Sequence, residues 1–219
     1  TGEEGNYVRA AQPTGPNATI NPKGLTISGV TANGKTYDRT TTATLNLGGA
    51  SLVGVISPDT VTIDSSGATG TFASANAGTH AVTASGFGLT GAAGNYVLSA
   101  QPTVPNATIS PKSLTITGVV ANNKTYDRTT AATFNLGGAS LVGVIAPDPV
   151  AIDSSTASGT FASANAGTWA ISVSGFGLSN AAGNYVLAAQ PTVTNATILT
   201  KAASVTPNAA SKTYGDTDP

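Results

Sequence analysis

The sequence predicts an all-β protein made of tandem domains. Three observations lead to this fold class. One stretch of sequence repeats along the chain with a constant spacing, short runs alternate between apolar and polar residues, and strand and turn formers greatly outnumber strong helix formers. No stretch shows a sustained 3.6-residue period, so we expect little or no helix. A β-grasp-like arrangement with one short helix is the alternative that these patterns leave open.

The repeat has a period of 89 residues. Gly-Asn-Tyr-Val begins at Gly5, Gly94 and Gly183, and Lys-Thr-Tyr-Asp begins at Lys35 and Lys124, each 89 residues from the next. A period of this length is longer than the 20–50 residues typical of solenoids, and it suffices for a small independent domain. The sequence therefore predicts separate domains in tandem.

These spacings define four segments. Residues 24–112 and 113–201 are two full copies, identical at 68 of 89 aligned positions. Residues 1–23 correspond to the C-terminal part of a preceding repeat, and residues 202–219 correspond to the start of a further, more diverged one.

Each copy contains about seven candidate strands, which is compatible with an immunoglobulin-like β-sandwich. In the second copy, Leu114 and Ile116 lie on one face of a strand, and Trp169, Ile171 and Val173 lie on one face of another. Glycine, asparagine, aspartate and proline separate the runs, as turn formers do. The remaining predicted strands of this copy are 132–136, 150–152, 160–162, 183–187 and 196–198.

Aromatic residues are few and recur at matching positions, so we predict that they anchor the core. The predicted structural anchors are Tyr37, Phe72, Phe87, Tyr96, Tyr126, Phe161, Trp169, Phe176 and Tyr185. Trp169 replaces His80 of the first copy, which favours a partly buried ring position over a catalytic or metal-binding one. We further hypothesise that Tyr96 and Tyr185 form tyrosine corners, in which the phenol bonds to upstream backbone.

The composition argues against several classes of function. Nine Lys and Arg balance ten Asp and Glu, so there is no basic surface for a nucleic acid. The absence of cysteine excludes disulfides and thiolate metal sites, and one histidine makes a histidine metal site improbable. No apolar run approaches the length of a membrane span, so this segment predicts no membrane insertion, and its first residues lack a signal-peptide pattern. We predict no enzyme activity, no cofactor and no metal.

Some weaker patterns have simple structural explanations. Residues 86–91 match GxGxxG, but a strand follows them and the second copy lacks the third glycine, so turn glycines are the preferred interpretation. Calcium binding by the recurring aspartates, Lys–Asn isopeptide bonds and glycosylation of the Asn-x-Thr sites stay open as alternatives. The aspartates in question are Asp38, Asp59, Asp64, Asp127, Asp148 and Asp153.

The second copy resembles the YDG domain, a family found as tandem repeats in large bacterial surface and secreted proteins. The resemblance rests on residues 124–133, 158–162, 166–168 and 182–185, and it extends over nearly the whole chain. It implies a non-catalytic repeat of a filamentous haemagglutinin-like adhesin, and no catalytic residues to transfer.

Two further features qualify the resemblance. The last residues, 212–219, resemble the opening of the related MBG domain. The family pattern has glycine after Tyr-Asp, whereas this chain has Arg39 and Arg128, which predicts an altered turn because arginine tolerates positive φ poorly.

We therefore expect an extracellular or cell-surface protein that acts as a stalk or spacer. The short proline-containing linker at 110–112 favours a semi-rigid rod of domains joined end to end. The expected partners are neighbouring repeats, with self-association through exposed strand edges. The alternative is a repeat domain that itself binds a glycan, a host protein or a neighbouring chain.

Overall fold

The structure is a computed structural model that describes residues 15–91, 94–207, 211–215 and 217. In the predicted partial repeats, residues 1–14 of the 1–23 segment lie outside the described residues. The same is true, in the 202–219 segment, of residues 208–210, 216, 218 and 219.

All of the regular structure in the described residues is β-strand, which confirms the prediction of an all-β protein of tandem β-domains. The first twelve strands are β1 (Lys23–Ser28), β2 (Thr31–Ala32), β3 (Lys35–Thr36), β4 (Thr42–Ala43), β5 (Leu45–Asn46), β6 (Ser51–Val53), β7 (Thr62–Asp64), β8 (Thr69–Phe72), β9 (Gly78–Ser85), β10 (Gly88–Thr90), β11 (Tyr96–Leu98) and β12 (Thr103–Ser110).

The next thirteen strands largely repeat this order. They are β13 (Lys112–Thr117), β14 (Val120–Ala121), β15 (Lys124–Thr125), β16 (Ala131–Ala132), β17 (Phe134–Asn135), β18 (Ser140–Val142), β19 (Ala151–Asp153), β20 (Ser158–Phe161), β21 (Gly167–Trp169), β22 (Ile171–Ser174), β23 (Gly177–Ser179), β24 (Tyr185–Leu187) and β25 (Ala196–Leu199). No helix long enough to cross a lipid bilayer occurs in the part of the chain that the structure describes.

The described chain packs as two compact units whose borders differ from those of the sequence repeats. Unit 1 holds the described residues of 1–34, 41–74 and 79–107. Unit 2 holds the described residues of 108–219 together with two short segments of the first sequence repeat, 35–40 and 75–78.

In unit 1, β1 is a central strand. It pairs in parallel with β11 and antiparallel with β6, while β8 pairs antiparallel with both β4 and β9. Leu25 and Ile27 of β1 are buried and their neighbours are exposed, as a strand with one core face requires. The core of this unit gathers around Ile27, Val30, Ala84 and Phe87.

In unit 2, β13 plays the same part between β18 and β24, and Leu114 and Ile116 are its buried residues, on one face as predicted. β20 lies between β16 and β22, and β25 lies between β15 and β21. Two apolar clusters form the core, one around Phe161 and Ile198 and the other around Phe176. The end of β12 also belongs to this unit, where Ile109 pairs in parallel with Lys35 of β3.

The strands are shorter and more numerous than the seven predicted for each repeat. The predicted strand 132–136, for example, divides at Thr133 into β16 and β17, and Leu136 lies exposed beyond its end. Glycines with positive φ occur between the strands; a β-carbon at Gly118 (φ 76°) would collide with the carbonyl oxygen of Gly138. The immunoglobulin-like topology stays a prediction.

Candidate functional site

A polar cluster of unit 2 surrounds the carboxylate of Asp148, and we call it the Asp148 site. Asp148 follows a tight turn in which its backbone NH donates to the carbonyl of Ile145 over 2.9 Å. Its Oδ2 accepts hydrogen bonds from the phenols of Tyr185 (2.7 Å) and Tyr37 (2.9 Å). Its Oδ1 lies 3.1 Å from the Nε of Arg39. One carboxylate thus holds three side chains from two distant stretches of sequence.

Arg39 lies in a turn that requires a backbone conformation unfavourable for arginine. Its φ is 68°, in the left-handed region that costs a residue with a β-carbon about 1–2 kcal/mol. Asp38 fixes the turn, because its Oδ1 accepts hydrogen bonds from the backbone NH of Thr40 (2.9 Å) and from Lys35 Nζ (2.8 Å). We call residues 35–40 the Arg39 turn.

The guanidinium of Arg39 binds two acceptors on the opposite loop. Besides the carboxylate of Asp148, it reaches the carbonyl oxygen of Ala146, to which Nη1 donates over 2.8 Å. The Arg39 side chain remains 39% exposed and that of Asp148 16% exposed, so water weakens the ionic attraction. These two contacts together fix the orientation of the turn.

The two tyrosines of the site also pack against each other. The rings of Tyr37 and Tyr185 meet edge to face, with centroids 5.3 Å apart and an interplanar angle of 76°. Both residues are buried, and the Tyr185 oxygen also accepts a hydrogen bond of 3.1 Å from the backbone NH of Ile145. Edge-to-face pairs of this kind add about 0.5–1.5 kcal/mol beyond the burial of area.

Asn184 closes the site on its other side. It is the one buried polar side chain among the residues described, at 7% exposure. Its Oδ1 accepts from the backbone NH of Ala77 over 2.8 Å, and its Nδ2 donates to Oδ1 of Asn76 over 3.1 Å. The segment 75–78 therefore belongs to unit 2 through hydrogen bonds that satisfy a buried amide.

These contacts shift the acidities of the groups involved. The hydrogen bond from the Tyr185 phenol, aided by Tyr37 and Arg39, lowers the pKa of Asp148. Burial and the hydrogen bond to Asp148 raise the pKa of both Tyr37 and Tyr185. At neutral pH the site thus holds an ionised carboxylate between two neutral phenols and a guanidinium.

A cavity of about 370 Å³ lies beside these residues. It is lined by Tyr37, Arg39, Asn76, Asp148, Asn180 and Tyr185, among others. The hydrogen-bonding groups just described bond to one another or to nearby backbone, so these contacts hold the segments of unit 2 together.

The first repeat carries the equivalent loop in unit 1, which we call the Asp59 site. The Tyr96 phenol donates to Oδ2 of Asp59 over 2.6 Å and accepts from the backbone NH of Ile56 over 3.2 Å. The Tyr96 phenol thus bonds to upstream backbone, as hypothesised, but the backbone group lies 40 residues upstream and not the few residues of a tyrosine corner. Asn95, the counterpart of Asn184, is exposed, and a cavity of about 310 Å³ lies beside Tyr96 and Asp59.

The second repeat carries the equivalent turn, residues 124–129, which we call the Arg128 turn. Arg128 has a φ of 69°, and Asp127 accepts from the backbone NH of Thr129 (2.9 Å) and from Lys124 Nζ (2.9 Å). In both copies the hydrogen bonds of the preceding aspartate hold arginine in the positive-φ conformation, which arginine by itself tolerates poorly.

The predicted anchors occupy different environments. Phe72 and Phe161 are the most deeply buried, at 1% exposure each, and Lys124 Nζ lies 5.4 Å above the Phe161 ring. Phe87, Tyr96 and Phe176 are also buried, whereas Tyr126 and Trp169 are half-buried.

The structure brings only Tyr37 and Tyr185 of these anchors together around a polar group. Sequence reasoning did not assign Asp148, Arg39 or Asn184 to that site. The recurrence of Asp59 as Asp148 and the arginine after Tyr-Asp were the available signals.

The other candidate groups have separate roles. The carboxylates of Asp64 and Asp153 each accept a hydrogen bond from the backbone NH two residues ahead, as turn-capping aspartates do. Within the described ranges, no three acidic or histidine side chains come close enough to hold a metal ion. The GxGxxG pattern spans β10, with Gly86 before the strand, Gly88 in it and Gly91 after it. The Trp169 indole donates to the carbonyl of Asn165 over 2.8 Å.

Comparison with known proteins gives one result. The family model of the YDG domain matches residues 21–104 and again residues 110–194. No curated protein and no solved structure matches the chain. Since the two matches together cover most of the sequence, the chain belongs to the YDG domain family, of which it carries two tandem copies.

Proposed function

We propose that this chain is a structural repeat region of a large bacterial adhesin, secreted or displayed on the cell surface. In this role it is a stalk or spacer that projects a distal binding region, and it catalyses no reaction. The residues from 202 onward would begin an MBG-like repeat. Its partners are the neighbouring repeats of the same protein.

The Asp148 site is the observation that carries this proposal. Its turn, 35–40, comes from the first sequence repeat, and its loop, around Asp148 and Tyr185, comes from the second. Residues of two consecutive sequence repeats thus fold into one compact unit, and this favours a folded spacer over a string of domains on free linkers. Only Pro111 separates β12 from β13, so no long flexible linker lies at this point of the sequence.

Small-angle X-ray scattering on chains with two, four and six repeats tests the proposal. A spacer predicts that the maximum dimension grows in proportion to the number of repeats. Growth close to the square root of the number of repeats, as for a flexible chain, would contradict it. Saturable glycan binding by the two-repeat chain, little changed by salt, would instead support the alternative that the repeats are themselves binding modules.

A further inference from the structure

Asn33 is followed directly by Gly34, and this is the only Asn-Gly pair in the sequence. The two residues form the link between β2 (Thr31–Ala32) and β3 (Lys35–Thr36). An asparagine amide is lost most readily before glycine, because glycine has no β-carbon to hinder attack by its own backbone nitrogen. The link therefore places a labile amide next to an unhindered nucleophile.

The two groups that would react are accessible. Asn33 and Gly34 are both exposed to solvent. Among the described residues, neither the side-chain amide of Asn33 nor the backbone NH of Gly34 has a hydrogen-bond partner, whereas the backbone NH of Asn33 donates to the carbonyl of Thr44 over 2.9 Å. No hydrogen bond of the reacting groups therefore has to break before the nitrogen of Gly34 approaches Cγ of Asn33.

The second repeat provides an internal comparison, because Asn122 and Asn123 occupy the same positions of its period. Asn122 is half-buried, and its Nδ2 donates to Oγ1 of Thr133 over 3.0 Å. Asn123 carries a β-carbon, and its Oδ1 accepts from the backbone NH of Thr197 over 2.7 Å. In this repeat both residues are thus held by hydrogen bonds that their counterparts in the first repeat do not make.

We propose that Asn33 is a site of spontaneous deamidation, at which the side-chain amide is lost by reaction with water. The backbone nitrogen of Gly34 gives up its proton to solvent base and attacks Cγ of Asn33, which closes a five-membered succinimide ring. The bond between Cγ and Nδ2 breaks, and the leaving nitrogen takes up a proton and departs as ammonia. Water then opens the ring, at Cγ to give aspartate or at the backbone carbonyl carbon to give isoaspartate.

Either product alters the link between β2 and β3. Each adds a negative charge next to Lys35, whose Nζ already bonds to Asp38 and to the carbonyl of Thr40. Isoaspartate also lengthens the main chain by one carbon atom, because the chain then runs through the side chain. The first repeat would therefore change with age while its near copy stays intact. This inference goes beyond the spacer function and does not require it.

Trypsin makes the two repeats directly comparable, because it cleaves after lysine. Lys23 and Lys35 bound the peptide 24–35, and Lys112 and Lys124 bound the matching peptide 113–124. The folded chain is stored at neutral and at mildly alkaline pH, and its digests are compared by mass spectrometry with that of an unstored aliquot. We expect 24–35 to gain about 1 Da, faster at the higher pH, and 113–124 to change at least about tenfold more slowly. A methyltransferase specific for isoaspartate then identifies that product.

Two substitutions separate the contribution of glycine from that of the fold. Gly34→Ala adds a β-carbon to the attacking residue and should slow the mass change at Asn33 by about tenfold or more. Asn123→Gly removes this hindrance in the second repeat but keeps the bond from Asn122 to Thr133, so Asn122 should still react several-fold more slowly than Asn33. Far-ultraviolet circular dichroism verifies that each variant is folded.

Three results would count against the proposal. A peptide 24–35 that keeps its mass during storage would overturn it outright. An unchanged rate in Gly34→Ala would show that the nitrogen of Gly34 is not the nucleophile. Equal rates at Asn33 and at Asn122 of the Asn123→Gly variant would show that the hydrogen bond of Asn122 gives no protection, and would remove the structural part of the assignment.

Discussion

The Asp148 and Asp59 sites have closely similar local sequences and the same hydrogen bonds within the loop, yet their surroundings differ. In each, a tyrosine bonds to an aspartate and to a backbone NH 40 residues upstream of that tyrosine. Only Asp148 also receives an arginine and a second tyrosine, and only Asn184 is buried. The comparison separates the loop, which forms from residues of a single sequence repeat, from the complete site, which also needs residues of the preceding repeat.

Asn184→Ala should have the largest effect in this comparison. The substitution removes the buried amide oxygen to which the backbone NH of Ala77 donates. Leaving that NH without an acceptor costs about 1–3 kcal/mol of unfolding free energy. The matched control Asn95→Ala changes an exposed side chain and should cost less than about 0.5 kcal/mol. Urea unfolding measures both, and fluorescence of the single tryptophan, Trp169, reports on unit 2. Equal losses would show that burial of Asn184 is energetically irrelevant.

Tyr96→Phe and Tyr185→Phe should have similar effects, because the local bonds of the two phenols are alike. Each change removes a hydrogen bond to a carboxylate and one from a backbone NH, at a cost of about 1–2 kcal/mol. Thermal and urea unfolding, followed by circular dichroism, measure the stability lost in each of the two variants. No change in melting temperature for Tyr96→Phe would refute a stabilising role for this phenol, and a cost for Tyr185→Phe alone would show that the loop depends on the completed site.

Glycine substitutions at the two arginines should act in opposite directions. Arg128→Gly relieves a left-handed arginine, and after the entropic cost of glycine the net gain is up to about 1 kcal/mol. Arg39→Gly relieves the same strain but loses the contacts with Asp148 and the Ala146 carbonyl, so its stability should fall below that of Arg128→Gly by about 1–2 kcal/mol. Urea midpoints from Trp169 fluorescence give the difference. Two equal gains would mean that Arg39 contributes nothing to the site.

The smallest expected effect is on the stability of the fold at low pH. The backbone NH of Thr129, with Lys124, lowers the pKa of Asp127 to about 2, and the Tyr185 phenol lowers that of Asp148. Since both folded-state values lie below the unfolded-state value of about 3.9, their stabilisation is present above pH 4 and is lost as pH falls toward 2.

The dependence of melting temperature on pH between 5 and 2 should therefore flatten in Asp127→Asn and in Asp148→Asn. The Asp127 side chain is half exposed, which keeps the change small. If the melting temperature of both variants falls between pH 5 and 2 as steeply as that of the wild type, the lowered pKa values of Asp127 and Asp148 do not contribute to stability.

Local patterns in the sequence were sufficient to predict the fold class. Alternation placed Leu114 and Ile116 on one buried face, and the repeat predicted two equivalent domains. Alternation could not reveal where strands divide, because a break such as the one at Thr133 depends on which partner strand each half meets.

The Asp148 site was beyond such reasoning for a different reason. Tyr37 and Asp148 lie 111 positions apart, and Asn184 and Ala77 lie 107 apart, so no short pattern links them. Arg39 was visible only as a departure from the family pattern, and propensity gave no reason to expect an arginine with positive φ. Local hydrogen bonds to the carboxylate of Asp38 overrode the preference of the backbone, and those of Asp127 do the same at Arg128.

The borders of unit 2 have a consequence for how such arrays can lengthen or shorten during evolution. The turn 35–40 belongs to one sequence period and its partner loop at 145–149 belongs to the next. Any duplication or deletion of whole 89-residue periods, wherever the recombination falls, recreates the same pairs of residues at every new junction. A gain or loss of any other length separates a turn from its loop. Selection for intact junctions would thus keep the copy number free to vary while holding the period constant.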